Sequence, residues 1–388
     1  MDGRIHWRLT ALAGVVALTI AACGGGGGKK STTASSTGGP KIGFFGALTG
    51  DNAQLGINIR NGVKLAIDQH NKTAKTKVAL VQYDSAGDPA QAPQLAQKAI
   101  SDKVVAIIGP AFSGESKVAD PIFEQAQIPN LTPSATNAKL QLNGWKYFHR
   151  LLANDDSQAP ADSDFEASKL KDKRVAVIDD ASEYGKGLAD TVRQKLGAAV
   201  VVNDSVDPKA AAGNYSSTVN KVNAAKADSI FYGGYYADAA KLVKQLRDSG
   251  DKVPFESDDG SLDPKFVAGA GSAADGAFIS CACLLATASS DPAAVQFTKD
   301  YKASSGQDPG TYSTEGYDGA RAVLMAIDAG NTTGPTINNF LKTIDLKGIT
   351  KQIKFDAQGE VTGGSIYMYE VKNGKLALLG PEPSASPS

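Results

Sequence analysis

From Lys41 onward, short apolar runs of strand length alternate with segments whose apolar residues recur at helical spacing, and the alternation runs through twice. Residues 42–46 read as a buried strand, and Ile59, Val63, Ala66 and Ile67 then mark one face of a helix. Further strands are expected at 78–83, 104–108 and 128–132, separated by helix-length segments. A second series begins at 174–179 and continues through 199–203, 229–232, 253–256 and 276–280, with helices at 185–196 and 237–249. This βαβ pattern predicts parallel sheets covered by helices, right-handed crossovers, and ligand chemistry at the carboxyl ends of the strands. The expected fold is α/β, with two doubly wound parallel-sheet lobes.

The last third lacks the alternation. Segments 293–304, 313–328 and 336–344 read as consecutive helices with no strand of their own, so they need a sheet elsewhere to pack on. The economical solution returns the chain to the first sheet. It then crosses again for a strand at 352–356 and a hairpin of 366–370 and 376–379, turned at Asn373-Gly374. Two lobes joined by several crossings make a hinge with a ligand cleft between two sets of strand ends. The expected division is 41–153 plus 284–351 for one lobe, 154–283 plus 352–380 for the other, and a disordered tail over 381–388. A length of 388 residues suits that reading, since one core rarely grows so large and two domains of roughly 150–180 residues accommodate it.

The first 40 residues read as an address and a tether. Arg4 and Arg8 precede an apolar run over 9–22, the expected signal peptide, which at about 14 residues is too short to span a bilayer. Ile20-Ala21-Ala22-Cys23 resembles a bacterial lipobox, which implies cleavage before Cys23 and lipid attachment to its sulfur. A plain secretory signal with a chance cysteine is the alternative. Residues 23–40, rich in Gly, Ser and Thr, cannot bury apolar surface and read as flexible linker. The folded part is then expected at the outer face of the bacterial cytoplasmic membrane, anchored to it but not within it.

Enzyme chemistry is thinly provisioned. Lys and Arg number 40 against 41 Asp and Glu, so no basic excess exists to neutralise nucleic-acid phosphates. Past the signal, the histidines are His70 and His149, and neither has a further ligand at metal spacing. Both read as surface or strand-cap residues, and no metal or cofactor is expected. Ser113 lacks the first glycine of a nucleophile elbow. The stretch Gly269-Ala270-Gly271-Ser272-Ala273-Ala274 nominally fits a dinucleotide glycine pattern, but a strand follows where a helix should, and it reads as a loop. Cys281 and Cys283 project to one side of an extended segment, leaving a disulfide and two free thiols both open.

The strand ends offer small hydroxyls, glycines, aromatics and an acidic cluster. Pro110-Ala111-Phe112-Ser113-Gly114 and Thr132-Pro133-Ser134-Ala135-Thr136 carry hydroxyls and backbone N–H groups suited to a carboxylate, without an arginine. Opposite them, Ser182-Glu183-Tyr184-Gly185, Gly233-Gly234-Tyr235-Tyr236 and Glu256-Ser257-Asp258-Asp259-Gly260 offer aromatic walls and a carboxylate suited to an ammonium group. The same residues also suit helix caps and turns.

Residues 41–379 resemble the leucine/isoleucine/valine-binding branch of the periplasmic binding protein type I family, receptors of ABC importers. The marks are Gly46-Ala47-Leu48-Thr49-Gly50, Tyr83-Asp84-Ser85-Ala86-Gly87-Asp88-Pro89, Ile108-Gly109, Thr132-Pro133-Ser134-Ala135-Thr136, Tyr184-Gly185-Lys186-Gly187, Tyr232-Gly233-Gly234-Tyr235 and Phe355-Asp356-Ala357-Gln358-Gly359-Glu360. The resemblance implies that Ser113, Ser134 and Thr136 hold a ligand α-carboxylate, while Tyr235 and Asp259 meet its α-ammonium. The side chain would face Leu55, Phe112, Tyr184 and Tyr312. Relatives carry cysteines where this chain has Gly87 and Phe112, a tyrosine where it has Leu55, and a glutamate where it has Asp259. The implied function is a monomeric solute receptor that closes on a branched-chain or related amino acid. It would deliver that ligand to an ABC permease and its ATPase subunits. A sensor subunit built on the same fold is the alternative.

Overall fold

A computed structural model describes residues 38–171, 173–209 and 213–384. The expected signal peptide, the lipidation site Cys23, most of the linker and residues 385–388 lie outside the described residues.

The first sheet contains β1 (Lys41–Gly46), β2 (Ala79–Asp84), β3 (Ala106–Ile108), β4 (Asn130–Thr132) and β5 (Phe148–Arg150), all parallel, in the order β2-β1-β3-β4-β5. Helices α1 (Ala53–Thr73), α2 (Ala92–Ser101) and α3 (Ser113–Gln125) follow the first three strands. The pleat decides which helix meets which residue. Ile42 and Phe44 turn toward Ile59 and Val63 of α1. Phe45, the next residue and so opposite in phase, packs on the other face with Ala92, Ala96 and Phe123.

After β5 the chain crosses into α4 (Asp155–Asp164), β6 (Val175–Asp179), α5 (Glu183–Leu196), β7 (Val200–Ser205), α6 (Ser216–Ala225), β8 (Ser229–Gly233), α7 (Tyr236–Asp248), β9 (Phe255–Ser257), α8 (Pro264–Ala270) and β10 (Ala277–Cys281). These strands pair in parallel in the order β7-β6-β8-β9-β10. Counted from the first strand of each half, both sheets follow one order, 2-1-3-4-5. The glycine-rich stretch at 269–274 departs from the loop expected of it: its first two residues end α8, and Gly271–Ala274 form a 3-10 turn.

From β10 the chain returns to the first sheet, as its strandless sequence requires, through α9 (Pro292–Ser305), α10 (Ser313–Asp328) and α11 (Gly334–Leu341). Tyr301 of α9 donates its hydroxyl to the Asn58 carbonyl at 3.0 Å. Helices α1 and α10 cross so closely that a Cβ on Gly316 would stand 2.6 Å from the Ile59 carbonyl oxygen, and one on Gly62 would stand 3.0 Å from the Tyr317 amide nitrogen. Backbone cannot retreat as a side-chain tip can. Gly62→Ala is therefore expected to lower stability by about 1–3 kcal/mol, read as a lower denaturant midpoint with an unchanged slope; an unchanged midpoint would contradict the crossing.

The strand expected at 352–356 does not carry the chain into the second sheet. Strands β11 (Leu346–Lys347) and β12 (Gln352–Ile353) pair only with each other, antiparallel. Arg150 N then donates to the Gly359 carbonyl at 2.8 Å, and Val361 N donates to the Arg150 carbonyl at 3.0 Å, holding this stretch against β5. The crossing comes after it, leading to β13 (Tyr367–Lys372) and β14 (Lys375–Pro381). Their hairpin turns at Asn373 (φ 51°) and Gly374 (φ 71°), the positive angles of a type I′ turn. It adds antiparallel to β10, so the second sheet is mixed where a parallel one was expected. Pro381 belongs to β14, and Glu382 N donates to the Ile366 carbonyl at 2.9 Å, so the tail begins later than composition suggests.

The crossings are tied to one another. A Cβ on Gly364 would lie 2.9 Å from that of Ala153, which joins the last crossing to the first. The Tyr369 hydroxyl donates to the Cys283 carbonyl at 3.2 Å and accepts from Leu285 N at 2.9 Å, joining the hairpin to the middle one. Cys281 and Cys283, left open above, are joined in a disulfide at that middle crossing.

Candidate functional site

In a 2-1-3-4-5 sheet the crevice lies where the loops after strands 1 and 3 part. Both sheets bring that crevice to one place. Leu55 near the start of α1, Ala111 and Phe112 after β3, and Ser134 after β4 come from the first. Tyr184 after β6 and Tyr235 after β8 come from the second, and Tyr312 enters from the start of α10. Together these residues line a cavity of about 10 Å³, at the lower limit for a single water. The jaws touch around it. Gln54 N donates to the Tyr236 hydroxyl at 3.2 Å, Ala237 N to Asn52 Oδ1 at 3.3 Å, and Asn137 Nδ2 to the Glu183 carbonyl at 2.7 Å. Anything larger than water enters only if the jaws part.

The walls are aromatic. The Phe112 and Tyr235 rings meet edge to face with centroids 5.0 Å apart, and Tyr235 and Tyr184 are 5.2 Å apart. Tyr312 holds φ at 65°, a left-handed conformation that costs a bulky residue of order 1–3 kcal/mol. It lets the residue that opens α10 present its ring to the second lobe.

Asp259 stands behind two of these rings. Its Oδ1 accepts from the Tyr184 hydroxyl and, at 3.0 Å, from Gln158 Nε2; its Oδ2 accepts from the Tyr312 hydroxyl. Gly260 N donates to the Tyr184 oxygen at 3.1 Å, completing that relay. Burial pushes the Asp259 carboxyl up, and the bonds from Tyr184, Tyr312 and Gln158 pull it back. Burial also raises Tyr184 and Tyr312 well above the ordinary phenol range, so both remain donors.

The opposite pole is built from the loops expected to cradle a carboxylate. Ser134 lines the cavity, and its Oγ donates to the Ala111 carbonyl at 2.6 Å. Ser113 opens α3 and accepts from Asn137 N at 3.3 Å, and Thr136 is fully buried, its Oγ1 near the Asp155 carboxyl without a well-aligned hydrogen bond. Neither Ser113 nor Thr136 lines the cavity. Positive charge stands behind this pole in two forms: the N-terminus of the 13-residue α3 and the guanidinium of Arg150. Arg150 is wholly buried and donates from Nη1 to the Ala135 and Asn137 carbonyls at 2.8 and 3.0 Å, and from Nε to Glu360 at 3.1 Å. Sequence reasoning missed it, together with Gln158. His149 is an interior residue and not the surface or cap group expected, its Nε2 lying 2.8 Å from Asn338 Oδ1; burial pulls it down to about 4.

A sequence profile of the periplasmic binding protein family matches residues 39–375. A leucine-, isoleucine-, valine-, threonine- and alanine-binding protein of Pseudomonas aeruginosa is 28% identical over 337 residues, 85% of this chain and 89% of that protein. Among solved structures, a branched-chain amino acid transporter substrate-binding protein of Streptococcus pneumoniae, in complex with isoleucine, superposes with a TM-score of 0.81 at 28% identity, covering 88% of this chain and 100% of that one. A leucine-binding protein of Thermotoga maritima gives 0.82 at 27% identity, with 90% and 99% covered.

Proposed function

This chain belongs to the periplasmic binding protein family, and from that premise we propose that it is an extracytoplasmic receptor of an ABC importer, closing on a branched-chain or related amino acid. The observation that carries the reading is the opposed polarity of the cleft. One jaw holds buried positive charge behind a serine-lined loop, and the other holds a buried aspartate met by the Tyr184 hydroxyl of its own jaw and by that of Tyr312 reaching across the cleft. A zwitterion fits such a pair of poles, and excluding water strengthens both charge-assisted contacts. Ser134, with Ser113 and Thr136 behind it, takes the carboxylate in this reading; Tyr235 and Asp259 take the ammonium; Leu55, Phe112, Tyr184 and Tyr312 face the side chain.

Closure is the switch. Ligand settles on one open jaw, the other swings over it, and the closed surface is what the permease recognises, with ligand shifting the two populations. The Ile20-Ala21-Ala22-Cys23 sequence supports lipid attachment at Cys23, which keeps the receptor beside its permease. Leucine, isoleucine and valine differ only by apolar contacts worth about 1–3 kcal/mol per methylene, so selectivity among them is expected to be modest. A thermal-shift screen of the common amino acids tests the reading. A true ligand at about 100 times its Kd stabilises the protein by about 2.7 kcal/mol, and no shift with any of them would overturn it.

A further inference from the structure

Helix α4 buries a polar face. Asp155, Gln158 and Asp162 recur at helical spacing, and all are buried against the second sheet. Gln158 Nε2 donates to Asp259 Oδ1 at 3.0 Å and to Ser280 Oγ at 2.9 Å, which fixes the helix against both the β9 loop and β10. Asp258 accepts from Gly234 N at 2.9 Å through one oxygen, and its other oxygen has no partner. Both carboxyl oxygens of Asp155 and of Asp162 are buried without a well-aligned hydrogen bond, the hydroxyls nearest them being those of Thr136 and Ser280. Asp155, Asp162, Asp258 and Asp259 thus form one buried carboxyl group of neighbours at the end of the cleft where Asp259 stands.

We propose that this carboxyl cluster carries a proton in the ligand-free receptor and releases it when a ligand ammonium settles beside Asp259, so that binding and proton release are linked. The inference rests on the amino-acid reading above and adds its regulation. Like charges packed out of water cannot all ionise together. An arriving cation supplies the charge that a proton supplied before. The O–H bond of one carboxyl, Asp155 in the first place, breaks, its electron pair stays on that oxygen, and the proton passes to the buffer while the ammonium keeps its own protons.

The surroundings favour this exchange over permanent pairing. Among the described residues the cation whose charge reaches the cluster is Arg150 of β5, near Asp155 but already bonded to Glu360 and to the Ala135 and Asn137 carbonyls. Asp156 of α4 adds negative charge near Asp155. Glu382, itself opposite Lys169, adds it near Asp162, as does Glu256 of β9. Tyr184 of α5 and Tyr312 of α10 face Asp258 and Asp259 as neutral phenols. Burial pushes Asp155 up to about 7, with Asp259 adding to the rise and the Thr136 hydroxyl and Arg150 opposing it. Its proton is therefore held through mild acid and is ready to leave near neutrality.

Calorimetric titration of the whole protein with L-leucine, L-isoleucine and L-valine near pH 6.5, in buffers of differing ionisation enthalpy, reads the released protons directly. About half a proton or more released per ligand is expected, and the Kd is expected to rise about tenfold from about pH 7.5 to about pH 5.5. Asp155→Asn is expected to bind with buffer-independent heats; should it not fold, Asp162→Asn is expected to reduce the release. Heats that bind but do not vary with buffer, or a release that survives both substitutions, overturn the inference alone. No heat with these three together with no thermal shift from any other common amino acid overturns the functional reading and this inference with it.

Discussion

Asparagine in place of Asp259 is expected to weaken amino-acid binding by about 2 kcal/mol or more, roughly 30-fold, in calorimetry. The size follows from burial. Asp259 is fully enclosed, and its neighbours are phenols, an amide and other carboxyls. A ligand ammonium beside an uncharged side chain there would be desolvated without a counter-charge. Loss of one apolar contact costs only about 1 kcal/mol, so the two effects are distinguishable by magnitude. The amide oxygen can replace Oδ1 for Tyr184 and Gln158 while the amide nitrogen donates to the Tyr312 oxygen, so the fold is expected to persist. An unchanged Kd would remove Asp259 from the site.

Arg150→Met is expected to cost about 3 kcal/mol of stability, read in urea unfolding. The replacement fills similar space but leaves Glu360, whose side chain is 13% exposed, without its partner, and leaves the Ala135 and Asn137 carbonyls without donors. Those carbonyls belong to the loop of Ser134 and Thr136, so ligand affinity is expected to fall as well. Lysine should not rescue it, because one ammonium cannot span the carbonyls and the carboxylate as a guanidinium does. The pair Arg150→Met with Glu360→Met should recover part of the loss, since it removes both charges together. A single variant as stable as the parent would show that Arg150 does not hold the loop.

The two predictions concern residues of unequal legibility. The acidic pair Asp258-Asp259 was visible just past an expected strand, and the family resemblance singled out Asp259. Arg150 carried no signal, because a buried arginine reads like an exposed one until its carbonyl partners are known. Strands such as β1 and β6 were legible from apolar runs flanked by turns. Helix α4 was not: its buried face is Asp155, Gln158 and Asp162, so burial there has no apolar period. The late crossing was hidden for a related reason. What keeps 359–361 on the first sheet is backbone bonding to Arg150, which no side-chain pattern announces.

The chain passes between its halves before α4, after β10 and before β13, and these passages are stitched sideways by Gly364 on Ala153 and by the Tyr369 hydroxyl. Straps bound side by side leave one cheap motion, rotation about a single axis, and resist torsion of one half against the other. In the closing motion proposed above, every stroke would therefore return Asp259 to the same alignment with Ser134. A receptor closing this way would need no search over relative orientation before testing its ligand.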